Sequence, residues 1–260
     1  AGDINVELFD EEAPITVANF YEYANSGRYN DTIFHRLVNS FVLQGGGFKF
    51  DDATNTFPSV TTDPTIKNEP DIVNRSNLAN TIAMAKLGNN QNSASSQFFF
   101  NLNDNSGNPD PNVPGDVVDP NGLDYQNGGF TVFGKIAGST PAPTTPVTDT
   151  VLVDLVDAAA PTITSVSNRS STNSAFGELT LNNYTGTTFP TDAAPSNFLR
   201  ILGIDTVRRD ESLTYTLMSG DSAVATIDTS LLTATIVNHR LRVTPKAGQS
   251  AATPFPSIPF

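Results

Sequence analysis

Three short blocks in this chain carry polar side chains among aromatic neighbours. The first is Phe34-His35-Arg36 followed by Phe41-Val42-Leu43-Gln44-Gly45-Gly46-Gly47. Ser95-Ser96-Gln97-Phe98-Phe99-Phe100 is the second, and Phe130-Thr131-Val132-Phe133-Gly134-Lys135 the third. The polar members of interest are Arg36, Gln44 and Gln97. Residues for most other chemistries are lacking: there is no Gly-rich phosphate motif, no Ser-His-Asp arrangement and no His/Glu metal spacing. Two histidines, His35 and His239, and no cysteine leave little material for proton transfer, disulfides or thiolate metal sites. What the blocks do offer is hydrogen-bond donation, from one permanently charged guanidinium and two amides beside apolar rings.

The elements that must hold these side chains are mostly strands. Ile4, Val6 and Leu8 alternate with polar residues, which predicts a strand with one buried face. Pro14 stands where a first helical turn tolerates it, Val17, Phe20, Tyr21 and Ala24 follow at helical spacing, and Gly27 supplies the stop. Further strands are expected over 32–38, 41–44, 81–85, 97–102 and 130–136. The polar stretches 48–80 and 103–129 read as loops. Residues 138–148 are Pro/Thr-rich and read as extended, and 149–159 as a short amphipathic helix. Two runs compete for the next strand, Pro161 to Val166 and 198–207. The later is longer and better patterned and is taken as the strand, leaving 160–196 as a long insertion. From Asp210 short strand-like runs follow at close intervals (213–217, 223–227, 234–237, 241–243), before a tail with three prolines that cannot feed a central strand. The domain boundaries expected are 1–209 and 210–260.

Composition narrows the function. The chain has 260 residues, 38% of them hydrophobic and 16% charged, enough for one sizeable core and a smaller unit. A formal net charge of −13 argues against nucleic acid or anionic lipid as a partner. No apolar run reaches the length of a membrane span. Abundant Asn, Thr, Ser and Asp, few Lys, no Cys and an opening on Ala1 point to an exported protein, periplasmic or extracellular, read as mature or trimmed.

Taken in order and spacing, the three blocks resemble the cyclophilins, peptidyl-prolyl cis/trans isomerases that bind proline in an apolar, phenylalanine-floored pocket. The resemblance implies a mainly β fold: a closed antiparallel barrel with two capping helices, at about 14–25 and 149–159, closed by the strand near 198–207. It implies catalysis by Arg36, the donor to the proline nitrogen, assisted by Gln44. Phe41, Val42, Phe99, Gln97, Ala85, Lys86, Leu123 and Phe130 are the implied substrate-binding residues, with Gln44 and Gln97 orienting Arg36 and the substrate carbonyl. Phe98 and Phe100 should alternate into packing, and His35 is assigned no catalysis. No cofactor and no metal are implied; the partner is a proline-containing peptide or unfolded protein. The chain departs from the family in several places. Val42 stands where methionine is usual, the loop 87–92 is about two residues longer, no tryptophan occurs, and Phe130 replaces a common histidine.

Residues 210–260 look like part of an immunoglobulin-like or cadherin-like repeat. The loop 101–124 carries Asp104, Asp110, Asp116, Asp119 and Asp124, oxygen ligands of the kind calcium takes, but no glutamate ends it at the spacing of a twelve-residue calcium loop; a solvated Asn/Asp loop is the alternative. Three functions are weighed. One is an active isomerase assisting exported proteins. Another is a non-catalytic proline-peptide binding module of a larger surface protein. The last is an adhesive protein whose pocket is blocked.

Overall fold

Val6 and Leu8 turn one face of β1 (Val6–Leu8) inward, and Pro14 opens the helix that covers that face, α1 (Pro14–Asn25). The computed structural model describes residues 4–109, 115, 117–137 and 165–204, together with the backbones of four strands between 216 and 245. Helix α1 buries Val17, Phe20, Tyr23 and Ala24 at helical spacing and ends at Ser26, with Gly27 at φ +68°. Its start has no local side-chain cap. Glu69 supplies one from a distant loop: its carboxylate accepts the Ile15 and Thr16 N–H groups at 3.2 and 2.8 Å and the Thr16 hydroxyl at 2.8 Å.

The run expected as one strand over 32–38 is split into β2 (Thr32–Ile33) and β3 (Arg36–Val38). The break at Phe34-His35 is a change of partner. The Phe34 N–H donates to Leu199 O, and the His35 N–H to Gln44 O. Next come β4 (Val42–Gly45), β5 (Thr81–Met84), β6 (Phe98–Asn101) and β7 (Val132–Ile136). With β1 and β3 they form one antiparallel sheet in the order β1-β7-β5-β6-β4-β3. Among the described residues no ladder joins the edge strands β1 and β3, and the pairing there is that of a six-stranded antiparallel sheet.

The β3 edge is occupied by chain that sequence reading left as an insertion. Strands β8 (Ser165–Ser167) and β9 (Leu179–Leu181) form a hairpin, so the competing run at 161–166 does enter a strand. The Leu37 N–H donates to Glu178 O at 2.9 Å, and the Thr180 hydroxyl to Phe34 O at 2.7 Å. Strand β10 (Arg200–Ile201), within the run 198–207 expected to close the barrel, pairs with β2 in a separate two-stranded sheet; residues 205–207 lie outside the described residues. The expected helix at 149–159 also lies outside them; α1 is the one α-helix among the described residues.

Strand alternation sorts the side chains into separate cores. Leu43, Phe98, Phe100, Ile82, Met84 and Phe133 pack toward α1 with Val17, Phe20 and Tyr23. Phe98 and Phe100 thus lie where alternation put them. A second cluster joins Ile33 and Phe48 to Phe176, Leu179, Leu181 and Phe198, fastening residues 165–201 to the outside of β2. A third, on the opposite face of the sheet from α1, contains the candidate site.

The chain divides into two units, Ala1–Thr206 and Val207–Phe260. The second contains two antiparallel hairpins, β11 (Thr216–Ser219) with β12 (Ser222–Thr226) and β13 (Leu232–Val237) with β14 (Arg240–Pro245). These strands fall on the runs expected there. Two hairpins alone do not define an immunoglobulin-like repeat.

Candidate active site

Cross-strand register builds the site. Arg36 lies opposite Gln44, Gln44 opposite Phe99, Phe99 opposite Ala83, and Ala83 opposite Val132. Directly opposed residues share a face. These five side chains therefore make one transverse row across β3, β4, β6, β5 and β7. Val42, two positions from Gln44, falls on the same face. Val42, Ala83, Phe99, Leu123 and Val132 form one apolar cluster, with Phe9, Phe41, Ala85 and Phe130 packed against it. Phe99 meets Phe130 edge-on with centroids 5.8 Å apart.

The glycines of the first block make room for the amides. Gly46 sits at φ +75°, and a Cβ there would lie 2.7 Å from Ser96 O. A Cβ on Gly47 would come within 2.8 Å of Gln97 Cδ, so only glycine lets the Gln97 side chain lie across this backbone. Gln97 is then met by Gln44, whose Nε2 donates to Gln97 Oε1 at 2.9 Å.

Leu123 reaches the cluster from the long loop because a buried polar network pins it. Asp124 accepts from the Asn77 N–H at 2.9 Å, from Asn77 Nδ2 at 2.8 Å and from the Ser76 hydroxyl. Asn101 Nδ2 donates to Asn77 and Thr81, and Asn105 Nδ2 to Asn101 and to Phe41 O. The Leu123 N–H donates to Asn105 O, and the Phe130 N–H to Leu123 O, so one loop positions both residues. The loop's carboxylates are turn-builders: Asp104 accepts from Ser106 and Asp119 from Asn121. Among the described residues no three acidic or histidine side chains group as a metal site; Asp110 and Asp116 lie outside those residues.

Arg36 differs most from expectation. Gln44 stands opposite it in the ladder, yet the Gln44 amide hydrogen is given to Gln97, and no side-chain bond joins Gln44 to Arg36. Arg36 Nε instead donates to Glu178 Oε2 at 3.1 Å, and the guanidinium carbon lies 5.9 Å from the Phe41 ring centre. The pair is partly open to water, with side chains 32% and 44% exposed. The terminal Nη groups of Arg36 have no hydrogen-bond partner among the described residues. Sequence reading missed Glu178, since it sits in the stretch taken as an insertion, 142 positions from Arg36.

Ala85 donates its N–H to Gln97 O at 2.9 Å and packs on the apolar cluster. Lys86 is turned to the neighbouring loop. Its ammonium donates to Asn127 O at 2.9 Å and to Gly129 O, 4.5 Å from the Phe130 ring centre. Burial pushes Lys86 down to about 8. His35 is 1% exposed against Phe48 and Phe176, its Nδ1 has no partner, and burial lowers its pKa to about 4. It faces the second cluster, away from the row.

The model of the family described as cyclophilin type peptidyl-prolyl cis-trans isomerase matches residues 1–141, and the chain belongs to that family. Peptidyl-prolyl cis-trans isomerase A of Dickeya dadantii is 42% identical over 139 residues, which cover 52% of this chain and 61% of that protein. Peptidyl-prolyl cis-trans isomerase cyp18 of Streptomyces antibioticus is 40% identical over 137 residues, covering 52% of this chain and 72% of that protein. Isomerase B of Escherichia coli is 38% identical over 135 residues, with the same two coverages. A crystal structure of a Cryptosporidium parvum cyclophilin type isomerase aligns over 53% of this chain and 73% of its own, at 24% identity and a TM-score of 0.37, too loose to argue from. The chain spans about three fifths of the first of these relatives. The residues matched by the family end before β8, so Glu178 and the segment around it come from outside them.

Proposed function

We propose that this chain catalyses cis/trans isomerisation of Xaa-Pro bonds in exported proteins or peptides. The supporting observation is the row Arg36-Gln44-Phe99, which puts a guanidinium with free Nη donors on the same face as an apolar cluster. Rotation about an Xaa-Pro bond is slow because amide conjugation gives it a barrier of roughly 18–20 kcal/mol. In the twisted amide conjugation is lost and the nitrogen regains a lone pair. No nucleophile or acid is needed; the protein must bind the twisted form better than either planar one. Here Arg36 is the donor to the proline nitrogen, a charge that costs no proton transfer. Phe41, Val42, Phe99, Leu123 and Phe130 receive the ring, which is compact, apolar and lacks an N–H in need of a partner. Gln97, held by Gln44, meets the moving carbonyl. Ala85 and the start of the 86–92 loop lie beside the substrate chain. Closure of the sheet into a barrel, a second helix at 149–159 and a boundary near residue 209 belong to the same reading.

A protease-coupled assay of a short Ala-Pro peptide tests the proposal. Accelerated cis-to-trans conversion supports it. Peptide binding without acceleration would replace it with the non-catalytic module, and neither would leave the adhesive reading.

A further inference from the structure

We propose that Glu178 is a positioning residue for Arg36, so that the site is completed by residues 165–201, which lie outside the family-matched part of the chain. The inference rests on the isomerase reading. An arginine side chain has several rotatable bonds, and one standing on an edge strand must be held if its donors are to meet a proline nitrogen at a fixed place. Within the row no side-chain hydrogen bond holds it: Gln44 lies opposite in the ladder, but its Nε2 donates to Gln97 and no bond joins it to the guanidinium. Glu178 does so from the far side. Its Oε2 takes Nε, the inner nitrogen of the fork, at 3.1 Å. Phe41 lies 5.9 Å from the guanidinium carbon. The outer Nη groups are left for substrate. A bond to Nε fixes the plane of the guanidinium without using the donors that do the chemistry.

The backbone makes this placement dependable. The Leu37 N–H donates to Glu178 O at 2.9 Å, so the residue that carries the carboxylate is bonded to the neighbour of the residue it holds. Thr180 donates to Phe34 O, and Phe176, Leu179 and Leu181 are buried against Ile33 and Phe48. The hairpin is thus fixed on both sides of Glu178 by packing that does not involve the ion pair. The pair itself is half open to water, and exposed pairs add little to folding stability. Its consequence falls on the orientation of Arg36.

The test compares the full chain with Glu178→Gln, Glu178→Ala and Glu178→Asp in two readouts. The first is the NMR signal of the Arg36 Nε–H group, assigned with Arg36→Lys. It should be slow to exchange in the parent and fast or lost in Glu178→Ala, with Glu178→Asp intermediate. The second is Ala-Pro turnover. The kcat of Glu178→Ala should fall about five- to tenfold, in line with freeing one rotamer-rich side chain, while KM and melting temperature stay close to the parent. Partial recovery in Glu178→Asp supports positioning. An unchanged Nε–H signal in Glu178→Ala overturns the proposal, and so does an equal or higher kcat, which would make Glu178 a restraint on the arginine. If the parent shows no turnover, the isomerase reading fails on its own, and the Nε–H signal still decides whether Glu178 holds Arg36.

Discussion

Phe99 and Phe100 are neighbours on β6 that point to opposite faces, and substituting each by alanine separates binding from folding. Each ring is 4% exposed. Phe99 lies among Val42, Ala83, Leu123 and Val132; Phe100 lies in the α1 core with Leu43, Ile82 and Phe98. Removing a ring buried this fully costs about 3–5 kcal/mol, part lost transfer energy and part cavity. For a unit of about 200 residues each kcal/mol moves the melting temperature by about 2–4 °C, so both variants should melt about 6–20 °C lower. The stability losses should match while the binding losses differ. Only Phe99 belongs to the row that contains Arg36, so an Ala-Pro peptide titrated well below the melting point should bind Phe99→Ala at least about tenfold more weakly, a loss of about 1.4 kcal/mol. Phe100→Ala should bind within about twofold of the parent. Urea denaturation gives the first quantity and peptide titration followed by NMR the second. Equal weakening in both variants would refute the division of the sheet into a binding face and a packing face.

Glu69→Ala removes the side-chain cap at the N-terminus of α1 and should cost about 1–2 kcal/mol, read from a shift in the urea midpoint with unchanged peptide affinity. Gly47→Ala puts a Cβ within 2.8 Å of Gln97 Cδ and should displace the Gln97 amide, lowering kcat while the helical circular-dichroism signal is kept. Buried His35 has a native pKa near 4, below the unfolded value of about 6.5. Between those values the unfolded chain takes up a proton that the native protein refuses, so stability is full above pH 6.5 and falls as the pH drops toward 4, by about 3 kcal/mol from this group. Comparing urea midpoints of the parent and His35→Gln at pH 7.5 and 4.5 isolates that part; equal pH dependence in the two proteins would argue against it.

The site's apolar half was legible because period-two alternation tells which side chains share a face. Phe99 against Phe98 and Phe100 follows from that alone, and the α1 limits follow from Pro14 and Gly27; Phe41 and Val42 are adjacent, so their common place in the site came from the family resemblance and not from alternation. Alternation says nothing about partners. The switch at Phe34-His35, from Leu199 to Gln44, leaves no trace in a run that reads as one strand. The α1 cap comes from Glu69, 53 and 54 positions away, where no local pattern could announce it. Glu178 was hidden for the same reason: its own stretch is polar and irregular, and its importance comes only from where β9 docks. The family pattern placed a glutamine beside the arginine, and register did bring Gln44 opposite Arg36. The geometry of the amide then gave its hydrogen to Gln97.

The central claim is that Arg36 stabilises the twisted Xaa-Pro bond. The most direct measurement is the rate of cis-to-trans conversion of an Ala-Pro peptide by the full chain and by Arg36→Ala, with folding checked by melting. Loss of a charged donor to the transition state in comparable sites costs on the order of 2.7–4 kcal/mol, so kcat/KM should drop at least about a hundredfold. Arg36→Lys should recover little, because a point charge does not reproduce the planar fork. Near-parental turnover in a folded Arg36→Ala would contradict the account.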